Sequence, residues 1–165
     1  MPELQNAPAT RPFALANGEG ERIWFLNSEM TIKATGASTG GELFLMETHV
    51  PEGFSPPLHV HHDEDEAFYV LAGELDIVCG SERYQATAGA FAFLPRDIAH
   101  TFRAVTESTI LTIAVPGGVE GFFRGVGCQA EGPGLPLPGP MDIVSVKEVA
   151  AQFNTELVGP PLGPS

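Results

Sequence analysis

The chain has 165 residues, 43% of them hydrophobic, and a formal net charge of −13. That length fits one domain with a sizeable core, and so negative a surface repels phosphate backbones and anionic lipid, which excludes nucleic acid and membrane surfaces as partners. No apolar run approaches the roughly 20 residues of a bilayer span, and Met1-Pro2-Glu3-Leu4-Gln5-Asn6 has neither the basic nor the apolar part of a secretory leader. Two cysteines, Cys79 and Cys128, make no disulfide framework, so a cytoplasmic protein is expected.

Taken in order, residues 1–20 are rich in Pro, Ala, Asn and Gly and read as an irregular arm. Residues 21–116 read as a succession of short strands: Ile23-Trp24-Phe25-Leu26, Met30 to Ala34, Glu42 to Val50, Glu66 to Leu71, Leu75 to Cys79, Arg83 to Ala86, Phe91 to Leu94, His100 to Ala104, and Thr109 to Val115 as the last. Turn signals separate them, among them Thr35 to Gly41, Gly80-Ser81-Glu82 and Pro95-Arg96-Asp97. Many short strands with no helix between them predict a sandwich or closed antiparallel barrel, and 19 glycines with 15 prolines suit it. Residues 117–165 read as an extension packing on the barrel. Val119, Phe122, Phe123 and Val126 have the spacing of a short amphipathic helix. Ser145-Val146-Lys147-Glu148 reads as a capping box with Ser145 as N-cap, followed by the stripe Val146, Val149, Ala150, Phe153. The tail from Gly159 onward cannot be helical. Apolar faces on the N-terminal strands predict a homodimer.

Chemistry concentrates between Gly53 and Gly73. Pro56-Pro57 favours extended backbone into His59. In a strand, His59 and His61 point to one face, with the Glu66 carboxylate a few residues on. Of the two histidines outside this stretch, His49 and His100, the latter has the better context, opening a strand just after a Pro-containing turn. Three neutral imidazoles and a carboxylate form a mixed N/O set suited to a single divalent transition metal (Ni, Mn, Fe, Co, Cu or Zn) with open positions for a small molecule. His62 has the opposite parity and is expected outside the site. Asp63, Glu64 and Asp65 read as a solvated bend. Phe44, Met46, Phe68, Phe93 and Phe102 are the candidates for an apolar substrate pocket, Phe68 and Phe102 the best placed because each lies two residues past a candidate ligand.

Gly53-x5-His59-x-His61-x4-Glu66-x6-Gly73 resembles the first signature motif of the cupin superfamily at every fixed position. Gly89-x5-Pro95-x-Asp97-x2-His100-x3-Ala104 resembles the second, departing at Asp97, where glycine is usual, and at Ala104, where asparagine is usual. Asp tolerates a left-handed turn better than most residues. The resemblance implies an all-β double-stranded β-helix, the cupin jelly-roll barrel, here with short C-terminal helices. It also implies a metal held by His59, His61, Glu66 and His100. The Pro56-to-His62 run, Asp65 to Leu71, Phe122-Phe123 and Glu156 to Leu162 are similar to single-domain cupins of the flavonol 2,4-dioxygenase (quercetinase) group. That similarity implies a metal-dependent dioxygenase that cleaves a flavonol-like or other enolic aromatic small molecule with O₂, in the manner of quercetin 2,3-dioxygenase. Glu66 is then the candidate base for the substrate hydroxyl. The alternatives are a non-redox cupin isomerase, cyclase or decarboxylase, or a metal-containing binding module.

Overall fold

The computed structural model describes residues 10–164; the beginning of the predicted arm, residues 1–9, lies outside the described residues, and residues 10–20 carry no helix or strand. Ten strands follow one another: β1 Glu21–Phe25, β2 Ser28–Ala34, β3 Phe44–Val50, β4 Pro57–His61, β5 Asp65–Ala72, β6 Glu74–Cys79, β7 Glu82–Thr87, β8 Phe91–Leu94, β9 His100–Ala104 and β10 Ser108–Val115. One turn of helix, α1 Gly36–Thr39, occupies the predicted turn cluster, capped by the Thr35 hydroxyl. Beyond them come α2 Glu120–Val126, β11 Cys128–Gln129, α3 Ile143–Gln152 and β12 Thr155–Pro161. A seven-stranded sheet runs β11-β1-β2-β3-β10-β5-β8 and a five-stranded sheet β12-β4-β9-β6-β7, with every pairing antiparallel. The two sheets make the jelly roll of the cupin fold.

Alternation along the strands decides what is inside. On β3, Phe44, Met46, Thr48 and Val50 are buried and the intervening residues half-buried. On β5, Glu66, Phe68 and Val70 face inward while Tyr69 and Leu71 are exposed. One core cluster lies between the sheets around Val50, Phe68, Leu75, Ile77, Leu94, Phe102 and Ile110. A second forms where α2 and α3 cover the inner faces of β1, β2 and β3. There Phe123 stacks on Phe44 with ring centroids 5.5 Å apart and meets Phe25 edge-on at 5.2 Å, pairs that contribute about 0.5–1.5 kcal/mol each beyond area burial.

Several expectations change. Thr109 to Val115 is not the last strand. Strand β12 starts before the non-helical tail and takes in its first residues, Gly159 to Pro161; it pairs with β4 in the register Thr155↔His61 and so joins the five-stranded sheet. Helix α3 starts earlier than its apparent capping box: Asp142 is the N-cap and accepts from the Ser145 amide at 3.2 Å and the Ser145 hydroxyl at 2.7 Å. The apolar residues of β1 and β2 are covered by α2 and α3, which removes the stated reason for a homodimer. Among the apolar side chains left exposed, Tyr69, Leu71, Phe91 and Phe93 lie together on the outer face of β5 and β8.

Two motif glycines hold left-handed turns for different reasons. Gly73 has φ +86, and a Cβ there would lie 2.5 Å from the Glu107 carbonyl oxygen. Gly89 has φ +89 with open space around it. Gly89→Ala is therefore expected to cost about 1–2 kcal/mol from backbone strain alone. Gly73→Ala should add a further ~1–3 kcal/mol of overpacking. Denaturant unfolding of the two variants checks the difference; equal losses would contradict it.

Candidate metal centre

His59 and His61 stand on β4, His100 opens β9, and Glu66 stands near the start of β5. The first three belong to the five-stranded sheet and Glu66 to the seven-stranded one. His59 and His100 are direct neighbours across the β4–β9 pairing. Between the sheets the imidazole centroids are 5.0 Å apart for His59–His61, 4.6 Å for His59–His100 and 5.5 Å for His61–His100. One ligand atom from each of the four residues lies within 4.8 Å of all the others. His61, Glu66 and His100 are buried; His59 borders the cavity.

The outer nitrogens settle the tautomers. His59 Nδ1 lies 2.7 Å from the Pro57 carbonyl and His100 Nδ1 3.0 Å from the Ile98 carbonyl. A carbonyl only accepts, so both Nδ1 atoms carry the proton and both Nε2 lone pairs turn into the site. His61 Nδ1 has two oxygens within reach, Thr155 Oγ1 at 3.0 Å and Glu64 Oε1 at 2.7 Å. His100 Nε2 also lies 3.0 Å from Glu66 Oε2. A lone pair facing a carboxylate at that distance repels it, so a proton or a metal ion has to lie between them. The donor set fits a divalent ion: three imidazole nitrogens and one carboxylate converge, and each imidazole is oriented through its other nitrogen, as metal-bound histidines are.

Burial and mutual charge shape the protonation of the metal-free site. Burial, then the charges of His100 and His61, push the His59 imidazole down to about 3. Burial works to raise the Glu66 carboxyl, but the His100 hydrogen bond and the neighbouring imidazoles outweigh it and bring it down to about 2. Burial works to depress His61, and the Glu64 and Glu66 carboxylates overturn that and raise it.

The other candidates are sorted by strand parity. His49 lies elsewhere, 2.8 Å from Glu107 Oε1. His62 faces outward, with Nδ1 2.6 Å from Asp97 Oδ1. Asp97 adopts φ +64, the left-handed turn foreseen for it. Phe68, Met46 and Phe102 line the apolar cavity of about 70 Å³ above the histidines. Phe44 and Phe93 do not. Phe44 is fully buried in the cluster under α2, and Phe93 pairs with Ala67 on the outer face of β8, 56% exposed. The cavity wall is completed by residues that the reading of the sequence did not assign to it, including Phe54, Phe122, Phe123 and Leu157. The bend after His62 is also not uniformly solvated. Asp63 is exposed, and Asp65 is clamped by Arg96 through its Nε, Nη2 and backbone amide at 3.1, 3.0 and 2.9 Å. Glu64 turns inward and is only 5% exposed.

Residues 46–116 match the cupin domain family. The chain is 32% identical over 117 residues to a quercetin 2,3-dioxygenase of Bacillus subtilis, covering 70% of this chain and 35% of that relative. It is 29% identical over 139 residues to a quercetin 2,3-dioxygenase of Aspergillus japonicus, covering 77% and 39%. It thus spans little more than a third of the length of these curated relatives. Among solved structures, an RmlC-like cupin from Shewanella frigidimarina superposes with a TM-score of 0.57 at 18% identity, covering 68% of this chain and 98% of that one. KdgF from a Halomonas species superposes with 0.52 at 18% identity, covering 57% and 84%. The chain belongs to the cupin superfamily. Within it, the chain resembles the quercetin 2,3-dioxygenases over the matched part of their length.

The protonation pattern has a measurable consequence. Between about pH 6.5 and 3 the unfolded chain holds a proton on His59 that the folded, metal-free protein refuses, so stability falls as pH falls through that window. Glu66 contributes stability that is present above about pH 4.5 and lost as pH falls toward 2. The raised His61 acts oppositely, stabilising the metal-free fold below about pH 6.5 and losing that contribution as pH rises through its folded value. Thermal unfolding of metal-free His59→Gln should therefore show a flatter dependence on pH between 6.5 and 3 than the parent; an identical slope would contradict the assignment.

Proposed function

We propose that this cupin is a metal-dependent dioxygenase of an enolic aromatic substrate, flavonol-like in its reacting part, with His59, His61, Glu66 and His100 as the metal ligands. The observation that carries this reading is the convergence of three histidines and one carboxylate, of which His59, His61 and Glu66 line an apolar cavity. The likeness to relatives named quercetin 2,3-dioxygenase supports the choice of reaction. His59, His61, Glu66 and His100 would hold a divalent ion, which would supply Lewis-acid and electron-transfer chemistry toward an enolic substrate.

The chain's own residues have separate tasks. Glu66, its carboxyl held ionised, is placed to accept the proton of the substrate's enolic hydroxyl at whichever oxygen is left free. Phe68, Phe102 and Met46 exclude water from the reacting face. Phe122, Phe123, Val146 and Leu157 bring the segment after residue 116 into the same wall. The cavity of about 70 Å³ is well below the ~300 Å³ and upward of ordinary small-molecule sites. A substrate with several rings therefore needs that wall to move.

The same small cavity favours a second reading, a non-redox isomerase, cyclase or decarboxylase acting on a compact substrate through Lewis-acid chemistry alone. Both readings expect one divalent ion per chain by elemental analysis and loss of that ion in His59→Ala and in Glu66→Ala, with metal affinity down by at least about 100-fold. Full occupancy in both variants would remove the ligand assignment. An oxygen electrode separates the two reactions. Flavonol-dependent O₂ uptake that stops under anaerobic conditions is the expected result, and unchanged turnover without O₂ would eliminate the dioxygenase.

A further inference from the structure

Glu64 is a buried acid that neither the fold nor the proposed reaction employs. It sits in a bend otherwise made of surface carboxylates, yet it is 5% exposed while Asp63 beside it is exposed. The cation of this bend is committed elsewhere: Arg96 binds both oxygens of Asp65 and the carbonyls of Asp63 and Val115. Glu64 instead brings Oε1 to 2.7 Å from His61 Nδ1. On the other side of the same nitrogen stands Thr155 Oγ1 at 3.0 Å, whose hydroxyl donates to the Phe153 carbonyl at 3.2 Å and so offers His61 a lone pair. His59 and His100 have only neutral carbonyls at the equivalent atom. One histidine of the three is therefore backed by a charge.

We propose that Glu64 is a positioning and charge-balancing residue of the metal centre: its carboxylate, 2.7 Å from His61 Nδ1 but without a hydrogen bond of its own at Oε1, favours the proton on that nitrogen, which Thr155 Oγ1 accepts, and so keeps Nε2 aimed at the metal and brings the buried assembly to neutrality. The proposal rests on the metal reading above. A divalent ion with three neutral imidazoles and the Glu66 carboxylate carries one net positive charge, which is costly in a dry interior. The second buried carboxylate cancels it. The expected consequence has two parts of opposite sign. Removing the charge weakens retention of the cation, because the site then has to bury an uncompensated charge and His61 loses its anchor. It also strengthens capture of an anion at an open coordination position, because that anion now supplies the missing charge. A purely architectural role for Glu64 would not split in this way.

The test uses the full chain loaded with Co²⁺, with Glu64→Gln as the main variant and Thr155→Val as the uncharged comparison. In Glu64→Gln, competition with a chelator should show Co²⁺ affinity falling by about 10–100-fold, the usual range for loss of a group that orients a metal-bound histidine. Titration of the Co²⁺ absorption bands with azide should show azide binding tighter by about tenfold, as expected for one charge lost several ångströms away in a medium of effective dielectric near 20. Thr155→Val, which keeps the charge, should leave azide affinity unchanged. Parallel weakening of Co²⁺ and azide, or no change in either, would overturn the proposal. A readout without metal keeps it independent of the proposed reaction. In the metal-free parent at pH 8, ¹⁵N NMR should find the His61 proton on Nδ1, and in Glu64→Gln a mixture of tautomers. An unaltered His61 signal in Glu64→Gln would overturn the inference even if no metal were ever bound, whereas an altered signal in a protein that takes up no Co²⁺ would count against the metal reading alone.

Discussion

The centre of this molecule is a carboxylate that has to be paired. Glu66 is buried between two sheets, on the inner face of β5, and every partner it has belongs to the opposite sheet. An ionised acid so placed is tolerable only with compensating donors or cations around it. The β4 and β9 histidines supply them from across the sandwich. The pairing His59↔His100 sets two imidazoles side by side, and the two-residue step along β4 adds the third. The spacing of the site is thus a property of the sandwich: a slip of one residue in β4 or β5 would turn the ligating set outward.

The segment beyond residue 116 takes part in this constraint. Strand β12 joins the five-stranded sheet alongside β4 and delivers Thr155 to the outer nitrogen of His61. Helices α2 and α3 cover the inner faces of the first three strands and lend Phe122, Phe123 and Val146 to the cavity wall. Apolar closure above the donor set and polar orientation below it come from the same stretch of chain. Matches to the cupin domain stop at residue 116, so this closure is added to the family core by chain that the core does not include.

Charge distribution follows the same division. The surface carries most of the −13, while the interior admits only a few acids, each with a task. Glu66 faces the imidazoles. Glu64 backs His61. Glu120 accepts from the backbone amides of Gly36 and Gly118 and ties α1 to the start of α2. Asp65, at the edge, is neutralised by Arg96 and fixes the bend that carries Glu64.

The sequence alone determined the class of fold, the gathering of His59, His61, Glu66 and His100, and the parity of most inner residues, because these depend on local rules: period-two alternation, glycines and prolines at turns, and the fixed spacing of two motifs. His62 outward, Asp97 in a left-handed turn, and Phe68 and Phe102 toward the site all followed from counting along a strand. Tertiary structure alone decided the rest. Phe93 points outward because β8 pairs with β5 in the register Ala67↔Phe93, which spacing within β8 cannot reveal. Residues 155–161, interrupted by a glycine and ending in two prolines, become a strand because β4 offers them an edge to pair with. Glu64 looked like one of three solvated acids, and is buried with its carboxylate 2.7 Å from His61 Nδ1. Each of these depends on contacts between segments distant in the chain or on the shape of a turn in space, and neither is written in the local order of residues.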